Sequence, residues 1–299
     1  MGRRHERRDL TMPIRWHVDD PDLLRQAIEY TARQTGFSLR LIEKDYFCSV
    51  VLEYLAARDT ELTFKGGTCL AKVHSGFYRL SEDLDFSIST PPNASRKERS
   101  RRGGGLGPIV RDTPRHLPGF QILAPLRGAN ESTQYNAVVG YESLLESRVE
   151  SIGVEVGLRE PVLAAPQQAP SNTMVLNPVN GRPLIDALVV SCLSHLEAMA
   201  EKLRAALTRR DVAIRDFFDV DHAVLNGRLD VRDRSLLELL RRKLEVAGAG
   251  AVDISAERLG QLSGQLEGEL QPVLRQQDFD HFDLDRAIRT VRAVALQLM

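Results

Sequence analysis

The fold expected for this chain is decided by two neighbouring segments, Leu62-Thr-Phe-Lys-Gly-Gly-Thr68 and Arg79-Leu-Ser-Glu-Asp-Leu-Asp-Phe-Ser-Ile88. Their apolar residues predict two short strands, joined by a glycine turn and a brief helix near Cys69 to His74. Side chains alternate between the two faces of a strand, so one face of the second strand can enter a core. That face holds Leu84, Phe86 and Ile88, and the opposite face holds Ser81, Asp83, Asp85 and Ser87.

Two aspartates on one open strand face make a site for hard cations. Mg²⁺ prefers carboxylate and phosphate oxygens and keeps several waters, so proteins commonly hold it with one or two acidic residues plus the phosphates of a substrate. Gly66 and Gly67 have no side chains to block a phosphate, and Thr68 adds a hydroxyl. The two segments therefore predict a magnesium site at Asp83 and Asp85 beside a phosphate-binding turn.

Each motif alone has a more common interpretation. A Gly-Gly pair is usually only a turn, and a bare Asp-x-Asp pattern is common. A second copy of that pattern, Asp283-Leu-Asp285, predicts the cap of a helix that begins near Arg286. The two motifs in this order, on consecutive strands, are much more specific than either of them alone.

Together they resemble the glycine-(Ser/Thr) and Asp-x-Asp signature of the nucleotidyltransferase superfamily. More narrowly, Phe64-Lys-Gly-Gly-Thr-Cys-Leu70 with Arg79-Leu-Ser-Glu-Asp-Leu-Asp-Phe86 resembles the AbiEii/MenT family, the toxic halves of type IV toxin–antitoxin systems. Ile42-Glu-Lys-Asp-Tyr46 also resembles a recurring segment of that family. The resemblance implies an α+β fold, with a nucleotidyltransferase-like mixed sheet core, N-terminal helices and a helical C-terminal region.

A third carboxylate is expected on a later strand. Between Gly119 and Leu158 the pattern indicates strands separated by polar turns, and the last of them, Ser151 to Leu158, alternates between apolar residues and Gly153, Glu155 and Gly157. A carboxylate flanked by two glycines has room for a metal or a substrate. It can equally be a solvent-facing glutamate on an edge strand. Because the superfamily places a third acidic residue after its Asp-x-Asp pair, the resemblance favours Glu155 as the third ligand.

The helical half offers a lysine and two aspartates. On one unbroken helix Lys202 and Asp216 would lie about 21 Å apart, too far to share a nucleotide, so the chain must turn near Arg209 to Asp211. We expect Asp211 to cap the next helix, on which Asp216 and Asp219 share a face and can position Lys202 or a sugar. Spacing alone favours ordinary surface salt bridges. The segment from Glu201 to Asp219, however, also resembles the family pattern.

The resemblance implies a complete reaction: an acceptor hydroxyl attacks the α-phosphorus of a nucleoside triphosphate (NTP), and pyrophosphate leaves. Two Mg²⁺ ions would orient the triphosphate, and Lys202 would offset growing charge. The implied acceptor is the 3′ end of tRNA, and a cognate antitoxin would control the resulting block of translation. The implied site residues are Asp83, Asp85, Lys202 and Asp216 for catalysis, Lys65, Gly66, Gly67, Thr68, Ser81, Lys202 and Asp219 for nucleotide binding, and Asp83, Asp85 and Glu155 for metal.

Two other interpretations stay open. The same carboxylates can serve nucleotide transfer to a protein hydroxyl or to a small molecule. The chain can also be a non-catalytic module that binds a nucleotide or an antitoxin and keeps a vestigial metal site. The intact Gly-Gly-Thr turn, both aspartates and Lys202 argue against the vestigial site.

Composition limits the other possibilities. The chain has 299 residues, of which 42% are hydrophobic and 27% charged, as in ordinary soluble globular proteins. It has no apolar run of roughly 20 residues, and the basic segment Met1 to Asp9 has no apolar segment behind it, so neither a membrane span nor a secretory signal is expected. Its three cysteines, Cys48, Cys69 and Cys192, are widely spaced, which predicts reduced thiols in a cytoplasm and neither a disulfide framework nor a zinc cluster.

The net charge of −1 means that an RNA partner would have to meet a local basic patch. The segment Ser95 to Arg102 carries five basic residues before Gly103 to Gly105. Such a run is usually a solvated helix end or a flexible loop. The alternative is that its cations meet RNA phosphates beside the active site, without base stacking because the segment has no aromatic residue.

The chain order predicts four regions: a flexible basic lead-in at 1–17, a nucleotidyltransferase core at 18–165, a linker or long loop at 166–183 and a helical region at 184–299. Within the core, Asp20 and Pro21 begin a helix that runs to about Gln34, and Ser38 begins another that runs to about Arg58. We expect the charged residues of the second helix, Glu43 and Lys44 among them, mostly to face water.

Overall fold

The computed structural model describes residues 14–59, 61–146, 148–246 and 250–298. In this part of the chain a mixed seven-stranded sheet is surrounded by helices, so the expected α+β fold is confirmed. One hydrophobic core lies against the sheet, and a second is formed mainly by the C-terminal helices from Leu193 onward. Within the described ranges, no helix has both the length and the apolar character needed to cross a membrane.

The sheet places the two motif segments at its centre. Its strand order is β3-β4-β5-β2-β1-β7-β6. Strands β1 and β2 are antiparallel, whereas β2 pairs with β5 and β1 pairs with β7 in parallel. The strands are β1 (Leu62–Lys65), β2 (Leu84–Ile88), β3 (Phe120–Ala129), β4 (Gln134–Glu142), β5 (Val149–Gly157), β6 (Gln167–Ser171) and β7 (Leu188–Cys192).

Three N-terminal helices precede the sheet: α1 (Trp16–Asp19), α2 (Pro21–Thr35) and α3 (Leu39–Arg58). The caps expected from the sequence are present, since Asp20 accepts a hydrogen bond from the N–H of Leu23 and Ser38 accepts one from the N–H of Leu41. Helix α3 packs on the face of the sheet that holds Phe86 and Val154, and its Phe47 stacks on Tyr141 of β4. The opposite face of the central strands is left for polar residues.

The prediction that the charges of α3 mostly face water was wrong. Glu43, Lys44 and Asp45 are all buried. Glu43 accepts hydrogen bonds from the N–H groups of Leu144 and Leu145, and Asp45 forms an ion pair with Lys72 at 2.6 Å. Burying these charges is tolerated because each has a partner supplied by a distant part of the chain.

The lead-in predicted at 1–17 falls largely on residues 1–13, which lie outside the described residues. From residue 14 the chain is packed. Ile14 is buried and its N–H donates to Glu53, while the backbone N–H of His17 donates to the hydroxyl of Tyr46. The packed chain therefore begins inside the segment that was expected to be loose.

The glycine turn continues directly into helical structure: α4 (Gly66–Cys69) is followed by a π-helix at Leu70–Ser75. Leu70, Ala71 and Tyr78 belong to the C-terminal hydrophobic core, so the segment between the two motifs joins the sheet to the helical half. After β2 come α5 (Arg96–Gly104), α6 (Leu106–Arg111) and α7 (Thr113–His116), and a 3₁₀ turn at Asn130–Ser132 links β3 to β4. The basic segment is thus a helix, and not a flexible loop.

Two parts of the chain differ from the predicted regions. The segment 166–183 was expected to be a linker or long loop, but it contains β6, which pairs with β7 at the edge of the sheet, and a β-bridge between Leu176 and Pro183. The region from 184 onward was expected to be helical, but β7 enters the sheet beside β1. The short apolar run Leu188 to Cys192 gives no periodicity that separates a strand from a helix.

The helical half follows β7 and builds the second core. Its helices are α8 (His195–Thr208), α9 (Ile214–Leu225), α10 (Arg234–Leu244), α11 (Ala256–Gly260), α12 (Gln276–His281) and α13 (Leu284–Leu298), with 3₁₀ turns at Ser263–Gln265 and Gln271–Val273 and a π-helix at Leu266–Leu270. The predicted role of the second Asp-x-Asp is confirmed, because Asp283 accepts a hydrogen bond from the N–H of Arg286 at the start of α13.

Candidate active site

Three of the predicted residues form one row across the centre of the sheet. Lys65 on β1 lies in register with Asp85 on β2, and Asp85 lies in register with Glu155 on β5. Residues in register on neighbouring strands point to the same face, so one cation and two carboxylates share the face opposite α3. Asn136 on β4 continues the row beside Glu155, and the sequence pattern had not singled it out.

Asp83 lies just before β2 and joins this set. Its Oδ1 accepts a hydrogen bond of 3.0 Å from the N–H of Gly153 on β5, two residues before Glu155. A Cβ on Gly153 would lie 2.6 Å from that same oxygen. Gly153 therefore leaves the space that the carboxylate of Asp83 occupies. This is a physical reason for the Gly-x-Glu pattern of the strand.

The glycine turn lies directly against the carboxylates. Gly66 has φ +75°, a conformation that favours glycine, and a Cβ there would lie 2.0 Å from Oδ2 of Asp85. A Cβ on Gly67 would lie 2.5 Å from the guanidinium of Arg79 and 3.1 Å from the hydroxyl of Ser81. The turn thus requires glycine at both positions, and it brings the predicted phosphate-binding segment against Asp85 and Ser81.

Thr68 has a different environment from the one expected. It is buried, and its hydroxyl donates to the backbone carbonyl of Asp83. Because that hydrogen bond occupies the hydroxyl proton, the side chain links the glycine turn to the first aspartate.

The electrostatics of the carboxylates reflect their closeness. Burial and, to a lesser extent, the neighbouring Glu155 raise the pKa of Asp85 to about 6, against the opposing effect of Lys65 and Lys202. Two carboxylates at this spacing repel each other when both are ionised. A cation between them would remove that repulsion.

Lys202 and its two predicted partners do meet. Its Nζ lies 2.9 Å from Oδ1 of Asp216 and 2.9 Å from Oδ2 of Asp219. Burial alone would lower the pKa of Lys202, but the two aspartates raise it above its ordinary value. The lysine is therefore held as a cation, and its charge acts on Asp85 across the site.

The turn between α8 and α9 occurs where it was expected, but Asp211 does not cap the second helix. Helix α9 begins at Ile214 after Ala213, and the N–H of Ile214 donates to Oε1 of Gln265 at 2.8 Å. The cap is supplied by a residue about fifty positions later, which no local signal in the sequence indicates.

Arg79 is a residue that sequence reasoning had not assigned. Its guanidinium is buried and forms a two-pronged pair with Asp219, with Nη2 2.7 Å from Oδ2. The hydroxyl of Tyr78 also donates to Asp219, at 2.7 Å. Asp219 thus holds the side chains of Arg79 and Lys202 together. It positions these two cations, because both of its own oxygens are already paired. The signal in the sequence that could have identified Arg79 is its position at the start of the Arg-Leu-Ser-Glu-Asp segment.

Glu201 is a second residue that was not assigned. It lies beside Lys202 on α8 and forms ion pairs with Lys65 at 3.4 Å and with Lys243 of α10 at 2.9 Å. Burial alone would raise the pKa of Glu201, but Lys65 and Lys243 lower it to about 2. This glutamate connects the row on the sheet to the helix that carries Lys202.

The donor set fits a hard divalent cation. Asp83, Asp85 and Glu155 lie on one face of the sheet, and Gly66 and Gly153 leave room for the carboxylates of Asp85 and Asp83. Burial and the nearby Glu155 raise the pKa of Asp85. Oxygen ligands of this kind suit Mg²⁺.

Comparisons with known proteins identify the family and the fold of this chain. A family model described as "Nucleotidyl transferase AbiEii toxin, Type IV TA system" matches residues 51–295, more than four fifths of the chain. The chain belongs to this AbiEii family. This match confirms the family resemblance that the sequence between Phe64 and Phe86 indicated. A comparison with curated proteins finds no significant match.

Solved structures similar to this AbiEii-family chain share its fold. MenT4, a nucleotidyltransferase toxin from Mycobacterium tuberculosis, is 16% identical with a TM-score of 0.52, and the match covers 92% of this chain and 98% of that one. JHP933 from Helicobacter pylori is 15% identical with a TM-score of 0.50, and the match covers 88% of this chain and 93% of that one. Membership of the AbiEii family indicates transferase activity, and nucleotidyltransferases of this kind generally use an NTP and a divalent metal.

Proposed function

We propose that this protein transfers a nucleoside monophosphate from an NTP to the 3′ acceptor end of tRNA, which blocks translation and growth until a cognate antitoxin intervenes. The observation that supports it best is the meeting of three elements at one open sheet face: the carboxylates of Asp83, Asp85 and Glu155, the glycine turn, and Lys202. A metal–triphosphate complex needs this combination of oxygen ligands, backbone donors and a fixed cation.

Asp83, Asp85 and Glu155 would hold two Mg²⁺ ions, which when bound would neutralise the triphosphate and lower the pKa of the attacking hydroxyl. The N–H groups of Gly66 and Gly67 and the hydroxyl of Ser81 would bind phosphate oxygens. The acceptor oxygen forms a bond to the α-phosphorus, the bond from that phosphorus to the bridging oxygen breaks, and pyrophosphate leaves with the electron pair.

Lys202 would offset the negative charge that grows on the leaving pyrophosphate. A fixed cation that is already oriented costs no reorganisation during the reaction, which makes it more effective than a mobile one. Asp216 and Asp219 keep Lys202 protonated and limit its rotation. In this scheme Asp216 acts through Lys202, and Asp219 acts through both Lys202 and Arg79.

Helix α5 is the proposed surface for the RNA acceptor. Arg99 and Arg102 hydrogen-bond to backbone carbonyls of the same protein, whereas Arg96, Lys97 and Arg101 are exposed and form no ion pair within the described part of the chain. Gly103 packs against the ring of Tyr135 on β4, which lies in register with Val156 and therefore points to the face opposite Glu155. Three exposed cations on one helix suit the phosphate backbone of an RNA acceptor.

The test is incubation of the purified protein with Mg²⁺, each α-labelled NTP in turn and total tRNA. Asp85→Asn should reduce labelling by more than about a hundredfold, because a ligand of the metal is lost. Asp285→Asn is the matched control, since Asp285 lies in the second Asp-x-Asp segment at the start of α13 and should label normally.

Label on tRNA that depends on Asp85 would support the proposal and name the nucleotide. Label on a protein or on a small molecule, with no label on RNA, would support nucleotide transfer but show that the acceptor is not tRNA. Binding of Mg²⁺ and NTP without transfer to any acceptor would contradict the proposal and favour a non-catalytic binding module.

A further inference from the structure

A group of cysteine and histidine side chains lies outside the proposed active site. Cys69 is the last residue of α4, His74 lies in the π-helix that follows, and Cys192 ends β7. One potential ligand atom from each of the three lies within 4.8 Å of the others. The widely spaced cysteines of the sequence are therefore brought together by the pairing of β1 with β7, contrary to the expectation of no such cluster.

The histidine of this group has one ring nitrogen within hydrogen-bond distance of the backbone. Nε2 of His74 lies 3.0 Å from the backbone carbonyl of Leu193. A ring that donates from Nε2 to a carbonyl keeps Nδ1 as an acceptor, and such a second hydrogen bond fixes the tautomer of most metal-binding histidines. A nitrogen of the same ring lies within 4.8 Å of the sulfur of Cys192.

A fourth side chain, His195, lies beside the group. Its ring centroid is 5.5 Å from that of His74, and its Nε2 is buried without a hydrogen-bond partner among the described residues. Two imidazoles on one tetrahedral zinc ion have ring centroids roughly 5 Å apart, given Zn–N bonds of about 2.0–2.1 Å. A buried polar atom without a partner is costly. His195 is not among the side chains within 4.8 Å of one another, so its ring would have to turn for a metal ion to become the partner of Nε2.

We propose that Cys69, His74, Cys192 and His195 form a structural zinc site. Two thiolates and two imidazoles are a donor set that favours Zn²⁺ over the hard cations of the carboxylate site. No second ligand class fits as well, because all four side chains offer soft or borderline donors.

The position of the group gives the site a structural role. Cys69 directly follows Thr68 of the glycine turn, and His195 begins α8, the helix that carries Glu201 and Lys202. A zinc ion would join the phosphate-binding turn to the helix that supplies the cation. We therefore expect bound zinc to hold the two halves of the proposed active site together, although the zinc site itself does not depend on the proposed reaction.

The first test is the metal content of the full chain, purified under reducing conditions without a histidine tag. Elemental analysis should find one zinc per chain, and Cys69→Ser and Cys192→Ser should lose it. Cys48→Ser is the matched control, because Cys48 is equally buried but its thiol hydrogen-bonds to the carbonyl of Glu82, away from the group. Equal zinc in all four proteins, or none in the unmutated chain, would overturn the proposal.

The second test begins with the unmutated chain. Addition of Co²⁺ to the metal-free chain should give the visible bands of tetrahedral cobalt together with thiolate-to-metal charge transfer in the near ultraviolet. His195→Ala should weaken zinc binding by at least about tenfold. Octahedral cobalt bands, unchanged affinity in His195→Ala, or a Cys69–Cys192 disulfide in the freshly purified chain would each contradict the four-ligand site.

Discussion

Lys65 on strand β1 forms an ion pair with Glu201 on helix α8, with 3.4 Å between Nζ and Oε2. Both side chains are largely buried, 15% and 13% exposed, so solvent screens the pair only weakly. The same lysine lies in register with Asp85, and Glu201 is the neighbour of Lys202 in the chain. The pair therefore sets the position of α8 at the point where its cation faces the carboxylates of the sheet.

The first prediction concerns Glu201→Gln and acid stability. The pKa of Glu201 is about 2 in the folded chain, against an ordinary value of 4.5. The unfolded chain therefore takes up the proton first as pH falls, so the stabilisation is complete above pH 4.5 and is lost as pH falls towards 2. The difference is worth up to about 3 kcal/mol of the free energy of unfolding. Glu201→Gln should thus be less stable than the unmutated chain at neutral pH.

Denaturant unfolding at several pH values checks this prediction. The curve for Glu201→Gln should approach that of the unmutated chain as pH falls below 4.5, because the stabilisation removed by the variant is lost there anyway. Glu238→Gln, an exposed position on α10, is the control and should follow the unmutated chain throughout. A constant offset between Glu201→Gln and the unmutated chain at all pH values would show that the Glu201 carboxylate does not carry this effect.

The second prediction concerns Gly153→Ala. A methyl group at this position would lie 2.6 Å from Oδ1 of Asp83 and would displace that carboxylate from the N–H that now holds it. The strand itself accepts alanine, so the fold should be kept while Mg²⁺ binding and nucleotide transfer fall by about 10–100-fold. Calorimetry with Mg²⁺ and the labelling assay measure the two effects separately.

Gly107→Ala controls for the loss of a glycine as such. No atom lies within 4 Å of a Cβ at this helical position, and alanine is the better helix former, so the variant should be at least as stable as the unmutated chain. Full activity in Gly153→Ala would mean that Asp83 does not need its present position, and would remove it from the proposed metal ligands.

The local part of the fold was predictable from the sequence because its signals are local. The caps at Asp20 and Ser38, the strand of Leu84 to Ile88 and the cap at Asp283 each depend on residues within a few positions of one another. The carboxylates were predictable for the same reason, since alternation along a strand places Asp85 on the face opposite Phe86. Glu155 required the resemblance to the family as well.

The features that the sequence did not predict depend on contacts between distant parts of the chain. Glu43 is buried because the N–H groups of Leu144 and Leu145 satisfy it, and Asp45 because Lys72 pairs with it. A partner some thirty to a hundred residues away leaves no mark in the local pattern. Strand β7 was not predicted because its five residues fit a buried strand and a helix equally well. Without β7 in the sheet, nothing in the sequence indicates that Cys69 and Cys192 lie close together.

The third prediction compares Asp219→Asn with Lys202→Met. Asp219 is the shared partner of two buried cations, Arg79 and Lys202, so its neutralisation leaves both poorly compensated and should cost about 3–5 kcal/mol. Lys202→Met removes one cation, while Asp216 keeps Arg209 and Asp219 keeps Arg79. Lys202→Met should therefore lower the free energy of unfolding less than Asp219→Asn does, but it should reduce nucleotide transfer by about 10²–10³-fold.

Thermal unfolding and the labelling assay separate the two roles. Lys202→Arg keeps the charge and is the matched control for Lys202→Met, so it should recover part of the activity. If Lys202→Met transferred nucleotide at the normal rate, Lys202 would be a structural cation only. If Asp219→Asn were as stable as the unmutated chain, the buried cluster would not hold Arg79 in the way proposed.

The last prediction tests helix α5 as the RNA surface through the double variant Arg96→Glu and Lys97→Glu. Both side chains are exposed, so folding should be unaffected, whereas reversed charge should weaken tRNA binding at every sequence. Removing two phosphate contacts should reduce the dependence of log K on log salt by about 1 per contact. Arg232→Glu with Arg234→Glu, an exposed basic pair at the start of α10, is the matched control and should keep both affinity and slope. Equal losses in the two double variants would mean that only net charge matters and that α5 does not form a specific RNA surface.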